Sequence, residues 1–406
     1  MNAPILADLR PLLAGLGGFG GLSMNPAAPT DPAPEPARSR SARRLTLEDY
    51  VAGVRAGDRA ILGRAITLVE STSAVHEAQA QELLGRLLPF TGRARRVGIT
   101  GVPGVGKSTF IEALGCHLCA QGRRVAVLAI DPSSSLSRGS ILGDKTRMER
   151  LSGEPRAFIR PSPSGGSLGG VARRTRETLL LCEAAGFDVV LVETVGVGQS
   201  EVTLRSMVDF FLLLLLPGAG DDLQGIKRGI MEMADAVLIN KADGDNRHRA
   251  EAARSEQAMA LHYLAAATPS WTTPVTLCSA LTGEGIAEAW ETVERFYREL
   301  EPAGVLNARR GAQQLAWLEE LVREELVGRW QRHAAVRLMR PAVERSLVAG
   351  ELTAVRAARA LIEAFDKLPA RTTSAPFAAP VPTPGSEPPP SRGSTDAAPS
   401  DPSIRP

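Results

Sequence analysis

The stretch "GVPGVGKST", Gly101–Thr109, satisfies the pattern G-x-x-x-x-G-K-[S/T]. It follows the apolar run "RRVGIT" and opens "STFIEALGCHLCAQ", whose apolar residues recur at helical spacing. A strand, a glycine loop and a helix in that order form a phosphate cradle. The glycines let backbone N–H groups turn inward around a β-phosphate, and the helix N-terminus adds the positive end of its dipole. The candidate phosphate-binding residues are Gly101, Val102, Pro103, Gly104, Val105, Gly106, Lys107, Ser108 and Thr109. In such a cradle Lys107 bridges the β- and γ-phosphates and the Ser108 hydroxyl ligates Mg²⁺.

Outward from this loop the chain alternates strand and helix. The expected strands are "RRVGIT", "RRVAVLAID", "AFIRP", "DVVLVET", "DFFLLLLLP", "ADAVLIN" and "PVTLCSA". Apolar strands separated by helices of about ten or more residues predict an α/β fold of the P-loop NTPase type: a mainly parallel sheet with helices on both faces. Helical extensions flank it on both sides. Residues 45–92 read as an N-terminal helical extension, with Thr46 and Asp49 spaced as a capping box and Gly57-Asp58 restarting a second helix. Residues 93–300 form the nucleotide-binding domain, and residues 301–368 are a C-terminal helical segment. Residues 1–44 and 369–406, rich in Pro, Ala and Ser, are expected to be disordered tails.

Ligands of open α/β sheets sit beyond the carboxyl ends of the strands, and three more strand ends carry unusual residues. "INKAD" closes "ADAVLIN". Its N-K-x-D core suits guanine, because the Asp243 carboxylate accepts from both N1–H and the exocyclic amine. Asn240 braces the loops, and the stem of Lys241 covers the base. A site built to pair a polar group rejects an analogue lacking it by about 10⁴–10⁵-fold, so GTP is expected rather than ATP. "CSALTGEG" adds Ser279, Ala280 and Leu281, where a backbone N–H meets guanine O6. "VETVGVGQSE" places Glu193 at the end of an apolar strand, where a charge requires a cationic partner such as Mg²⁺. Gly196 follows at the γ-phosphate, and Gln199 is a candidate for orienting water. "AIDPSSSLSRGSILGDKTRM" offers Asp131 and Asp144 to the Mg²⁺ shell; the alternative for Asp131 is a simple cap on the turn after Pro132.

Composition excludes other classes. The 406 residues carry a formal charge of +2, which gives no general attraction to nucleic acid or acidic membranes. The greasiest run, Phe210–Leu216, is far shorter than the roughly 20 residues that span a bilayer, so no membrane partner is expected. The N-terminal stretch lacks a basic leader. "ARSRSARR" hints at an organelle presequence, but Asp31 and Glu35 upstream argue against one, leaving a cytoplasmic expectation. Four cysteines do not make a disulfide framework, and "CHLC" at 116–119 falls inside a helical pattern.

Six motifs stand in a telling order: "GVPGVGKST", "RGSILGDKTRM", "FIRPSPSGGSLGGVA", "FDVVLVETVGVGQSE", "LPGAGDDLQGIK" and "NKAD". In that order they resemble the methylmalonyl-CoA mutase-associated GTPases, once described as lysine-arginine-ornithine transport ATPases. The resemblance is close over residues 46–300 and extends to 310–366 by pattern only. It implies a homodimeric GTPase that binds GTP/GDP and Mg²⁺, is slow alone and is stimulated by its partner. That partner is an adenosylcobalamin-dependent acyl-CoA mutase, whose cofactor loading the GTPase gates; no cobalamin is expected on this chain itself. In the family "PGAGDDLQGIKRG" looks like an extra switch, so Lys227, with Asp221 and Asp222, is expected to couple the partner to hydrolysis. Lys107, Glu193 and Lys227 are the catalytic candidates. The apolar stripe Leu315, Leu318, Val322, Leu326 and Trp330 suits either dimerisation or packing on the GTPase domain.

Two alternatives compete. A nickel metallochaperone of the same fold predicts a His-rich tract, which five scattered histidines do not supply. An ATP-dependent kinase tied to basic amino-acid transport conflicts with "NKAD".

Overall fold

The leucine run that follows Asp209 becomes a central strand, and its alternation builds two cores at once. In the computed structural model, which describes residues 45–130, 148–161, 168–194, 200–218 and 229–366, seven strands form one sheet. They are β1 (Arg95–Gly101), β2 (Val125–Ile130), β3 (Ala157–Arg160), β4 (Val189–Thr194), β5 (Phe210–Leu215), β6 (Ala236–Ile239) and β7 (Val275–Leu277). Their order is β3-β2-β4-β1-β5-β6-β7, and every pairing is parallel. The sheet is the one the sequence pattern predicts.

Side chains alternate across a strand, so β5 turns Phe210, Leu212 and Leu214 to one face and Phe211, Leu213 and Leu215 to the other. Both sets are buried, which explains why the strands read as continuous apolar runs. On one face lie α4 (Lys107–Ala120), α5 (Glu149–Ser152) and α9 (Ile286–Leu300). On the other lie α6 (Leu168–Ala184), α7 (Ser200–Arg205) and α8 (Arg247–His262).

The first three helices, α1 (Leu47–Arg55), α2 (Arg59–Glu70) and α3 (Ala74–Leu87), pack against one another and on α6. Their starts are chemically explicit. Thr46 and Asp49 exchange the two bonds of a capping box, and the Asp58 carboxylate accepts from the N–H groups of Ala60 and Ile61. The third helix begins at Ala74.

The chain ends in α10 (Val305–Arg332), α11 (Ala334–Val348) and α12 (Ala354–Asp366). The root of α10 is tied to the sheet by arginines. Arg310 bonds the Asp209 carboxylate in a two-pronged fashion, at 2.7 and 2.5 Å, and Arg309 bonds the Asp209 carbonyl. Beyond this root the expected stripe stays open: Leu315, Leu318, Val322 and Leu326 are 66%, 57%, 50% and 54% exposed. Among the described residues these four side chains are therefore left uncovered by the GTPase domain, whereas Trp330, the last of the expected stripe, is half-buried with Arg340 over its ring. The expected disordered tails lie outside the described residues.

Candidate functional site

The loop after β1 is shaped by backbone geometry that only glycine accepts well. Gly101 has φ 150°, and a Cβ there would sit 2.4 Å from the Leu214 carbonyl oxygen on the neighbouring strand. Gly106 has φ 96° and caps the N-terminus of α4, pointing its first N–H groups at the loop. Val105 is fully buried and anchors the loop between them.

Lys107 is buried, with Nζ donating to the carbonyls of Gly101 at 2.8 Å and Val102 at 3.3 Å. Burial lowers its pKa, while the carboxylates of Glu193 and Glu201 pull it back up. Ser108 Oγ donates to Glu193 Oε1 at 3.1 Å, so the two expected Mg²⁺ ligands from α4 and β4 meet. An adjacent hydroxyl and carboxylate at a helix N-terminus are the hard oxygen donors that Mg²⁺ prefers, and the pair fits that ion. Thr100 and Thr194 hydroxyls join at 2.8 Å and tie the ends of β1 and β4 together beneath it.

Asn240 does the stitching. Its Nδ2 donates to the Val105 carbonyl at 2.8 Å, and its Oδ1 accepts from the Ala280 N–H at 3.1 Å. One buried amide thus joins the phosphate loop, the "NKAD" segment and the "CSAL" segment. Lys241, with φ 60°, lays its stem across the loop so that Nζ reaches the Gly104 carbonyl at 2.8 Å. The Asp243 carboxylate accepts from Ser279 Oγ, which aims it. Between these groups lies a cavity of about 280 Å³, also lined by Thr109, Ala280 and the 84%-exposed Leu281.

Two residues of this site escape the motif reading. Asn246 lines the cavity from the short turn after Asp243, whose carbonyl accepts its N–H at 3.0 Å. Cys278 is buried and its thiol donates to Asn240 Oδ1 at 3.3 Å; burial pushes its pKa up to about 12, so it remains a donor. Its place immediately before Ser279 was the available signal. The expected residues Asp131, Asp144, Gly196, Gln199, Asp221, Asp222 and Lys227 lie outside the described residues.

The comparisons fit this geometry. Residues 62–335 match the model of the methylmalonyl Co-A mutase-associated GTPase MeaB family. The chain belongs to that family. A probable GTPase of Mycobacterium bovis is 56% identical over 78% of this chain and 95% of its own length. A mouse protein described as a mitochondrial methylmalonic aciduria type A homolog is 47% identical, covering 77% of this chain and 78% of that one. The GTPase ArgK of Escherichia coli is 50% identical over 70% of this chain and 85% of its own. A crystal structure described as an LAO/AO transport system kinase superposes with a TM-score of 0.63 at 39% identity, over 79% of this chain and 97% of that one. This MeaB-family chain is therefore an α/β P-loop protein of a GTPase family, and no helix among its described residues is long and apolar enough to cross a membrane.

Proposed function

We propose that this MeaB-family chain hydrolyses GTP as a cytoplasmic chaperone that gates adenosylcobalamin loading of a B12-dependent acyl-CoA mutase and protects or reactivates that enzyme. Methylmalonyl-CoA mutase is the first client to test. The observation that carries the nucleotide part is the Asn240 junction, which puts the phosphate loop and the Asp243 carboxylate on one cavity. The family description and the name of the mouse relative support the mutase part.

In this reading Lys107 and the α4 N-terminus hold the β- and γ-phosphates, and Gly196 senses the γ-phosphate. Asp243 and the Leu281 backbone read guanine, while the Ala280 N–H holds Asn240 in place and Asn246 lines the same cavity. Ser108 and Glu193, with Asp131 and Asp144, would hold Mg²⁺, which supplies charge neutralisation at the phosphates. The deciding experiment is the GTPase rate of the full chain, alone and with each adenosylcobalamin-dependent mutase of the same cell, against ATP. GTP-specific turnover raised by one mutase supports both halves. A rate indifferent to every mutase removes the chaperone role, and equal use of ATP removes the guanine reading. Lys227→Ala in the same assay is expected to abolish the stimulation while leaving GTP binding intact.

Cys278 gives a smaller prediction. Cys278→Ala removes one of the two donors to Asn240 Oδ1 and should weaken GTP about 3- to 10-fold, as one neutral hydrogen bond of about 0.5–1.5 kcal/mol implies. Cys278→Ser should retain most of the affinity. Equal affinities for all three, read with a fluorescent GTP analogue, would show that the thiol does not brace the site.

The exposed stripe on α10 supports a homodimer built by the C-terminal helices. Such a run of leucine and valine covers a contiguous face and calls for a partner. Leu318→Lys paired with Leu326→Lys should shift the sedimenting species from dimer to monomer. Retention of the dimer by the double variant would place the interface elsewhere.

A further inference from the structure

The two segments that meet at the base cavity are joined twice, once inside and once at the surface. The inner join is made by Asn240 and by the Ser279 hydroxyl on Asp243. The outer join is an ion pair between Arg247 Nη1 and Glu284 Oε1. Arg247 opens α8 directly after the turn Gly244–Asn246, and Glu284 lies near the far end of the "CSALTGEG" loop. Neither side chain lines the cavity, whereas Asn246, next to Arg247, and Ala280 and Leu281 do. The pair therefore links the two cavity walls from outside the cavity.

Hydrogen bonds close a ring through this pair. The Glu284 carbonyl accepts the Ser279 N–H at 2.9 Å, and Ser279 Oγ donates to the Asp243 carboxylate. The Asp243 carbonyl in turn accepts the Asn246 N–H at 3.0 Å, and the next residue is Arg247. The loop has little freedom to escape the ring. The Gly283 N–H donates to the Ser279 carbonyl at 2.9 Å. Gly285, at φ 78°, lies so near the Leu277 carbonyl oxygen that a Cβ would stand 2.3 Å from it. Glu251, one turn along α8, accepts from Arg247 Nε at 3.2 Å and fixes the guanidinium from a second side.

From this ring we infer that Arg247 and Glu284 are positioning residues for the carboxylate that reads guanine, and that their ion pair is a latch that slows nucleotide release. The inference rests on the guanine reading of the cavity. A base gripped by two segments leaves when those segments part, and the pair opposes the parting. Both partners are about half exposed, so the contribution is modest and is screened by salt.

The test is the dissociation rate of a fluorescent GDP analogue from the full chain, chased with excess GDP, with the matching ADP analogue as control. Arg247→Gln and Glu284→Gln should each speed release by about two- to fivefold, and the double variant by no more than either alone. Added salt should speed wild-type release more than release from the variants, a response that a merely structural role would not produce. Melting temperatures should stay close to the wild-type value, as for other surface substitutions. Glu291→Gln, which removes the exposed Arg298–Glu291 pair away from the cavity lining, should leave release unchanged. Equal release from wild type and both single variants, additive effects in the double variant, an equal salt response in all, or the same acceleration in Glu291→Gln would overturn the latch and leave the guanine reading standing. Binding of the ADP analogue as tight as that of the GDP analogue would overturn both.

Discussion

Asp243→Asn is expected to lower GTP affinity by about 10⁴–10⁵-fold, because it turns a matched acceptor pair into a mismatch at the base site. Guanine presents two donors side by side, N1–H and the 2-amino group. The Asp243 carboxylate offers two acceptors to them, and Ser279 Oγ holds that carboxylate in place. Asparagine keeps one oxygen, and so one pair, but sets an N–H₂ against the other donor, turning the second pair into a repulsion. Xanthine replaces the 2-amino group with a carbonyl, and the same amide would then match it. The variant should therefore prefer xanthosine triphosphate. Because asparagine still accepts from Ser279 and fills the same volume, folding should be unaffected. Calorimetric titration with the two nucleotides reads both arms. Wild-type GTP affinity in Asp243→Asn would place the base elsewhere and dismantle the guanine reading of the cavity.

The parts of this site that were legible in the sequence are those in which one short segment carries its own chemistry. "GVPGVGKST" must form a turn of glycines before a helix, and it does so with Gly101 and Gly106 at positive φ. The strands were legible because burial on both faces leaves no polar alternation, and β5 is the extreme case. What stayed hidden depends on distant partners. Cys278 looks like any buried small residue until Asn240 is brought beside it from the preceding strand. Arg309 and Arg310 read as a solvated helix start, yet they reach back about a hundred residues to Asp209. The α10 stripe showed its period in the sequence, but a period cannot say whether a face meets the same domain or another chain.

That distant arginine pair supports the largest stability effect. Asp209→Asn is expected to destabilise the fold by about 3–5 kcal/mol, the usual cost of breaking a buried ion pair from one side. Asp209 is fully buried at the start of β5 and receives Arg310 twice, the Tyr297 hydroxyl at 2.8 Å and the Arg96 N–H at 3.3 Å. Burial, reinforced by the Asp209 charge, raises the Tyr297 pKa well above the ordinary phenol value, so Tyr297 stays a donor. Burial alone would weaken the Arg310 charge, but its bonds to Asp209 outweigh burial and raise its pKa. Neutralising Asp209 leaves that guanidinium, about one-fifth exposed, without its carboxylate and with only the Gly92 and Ala94 carbonyls as partners. The melting temperature should fall by roughly 5–8 °C, given the usual unfolding entropy per residue. Arg310→Met added to Asp209→Asn removes the stranded charge and should restore part of the loss, so the two changes will not add. Additive losses in that double-mutant cycle would mean that Asp209 and Arg310 act separately and that α10 is rooted by other contacts. The cycle also bears on function, since β5 runs from Asp209 to the segment that carries Lys227. A loosened root in Asp209→Asn should therefore blunt mutase-stimulated turnover more than GTP binding, which rests on the far ends of β1 and β6.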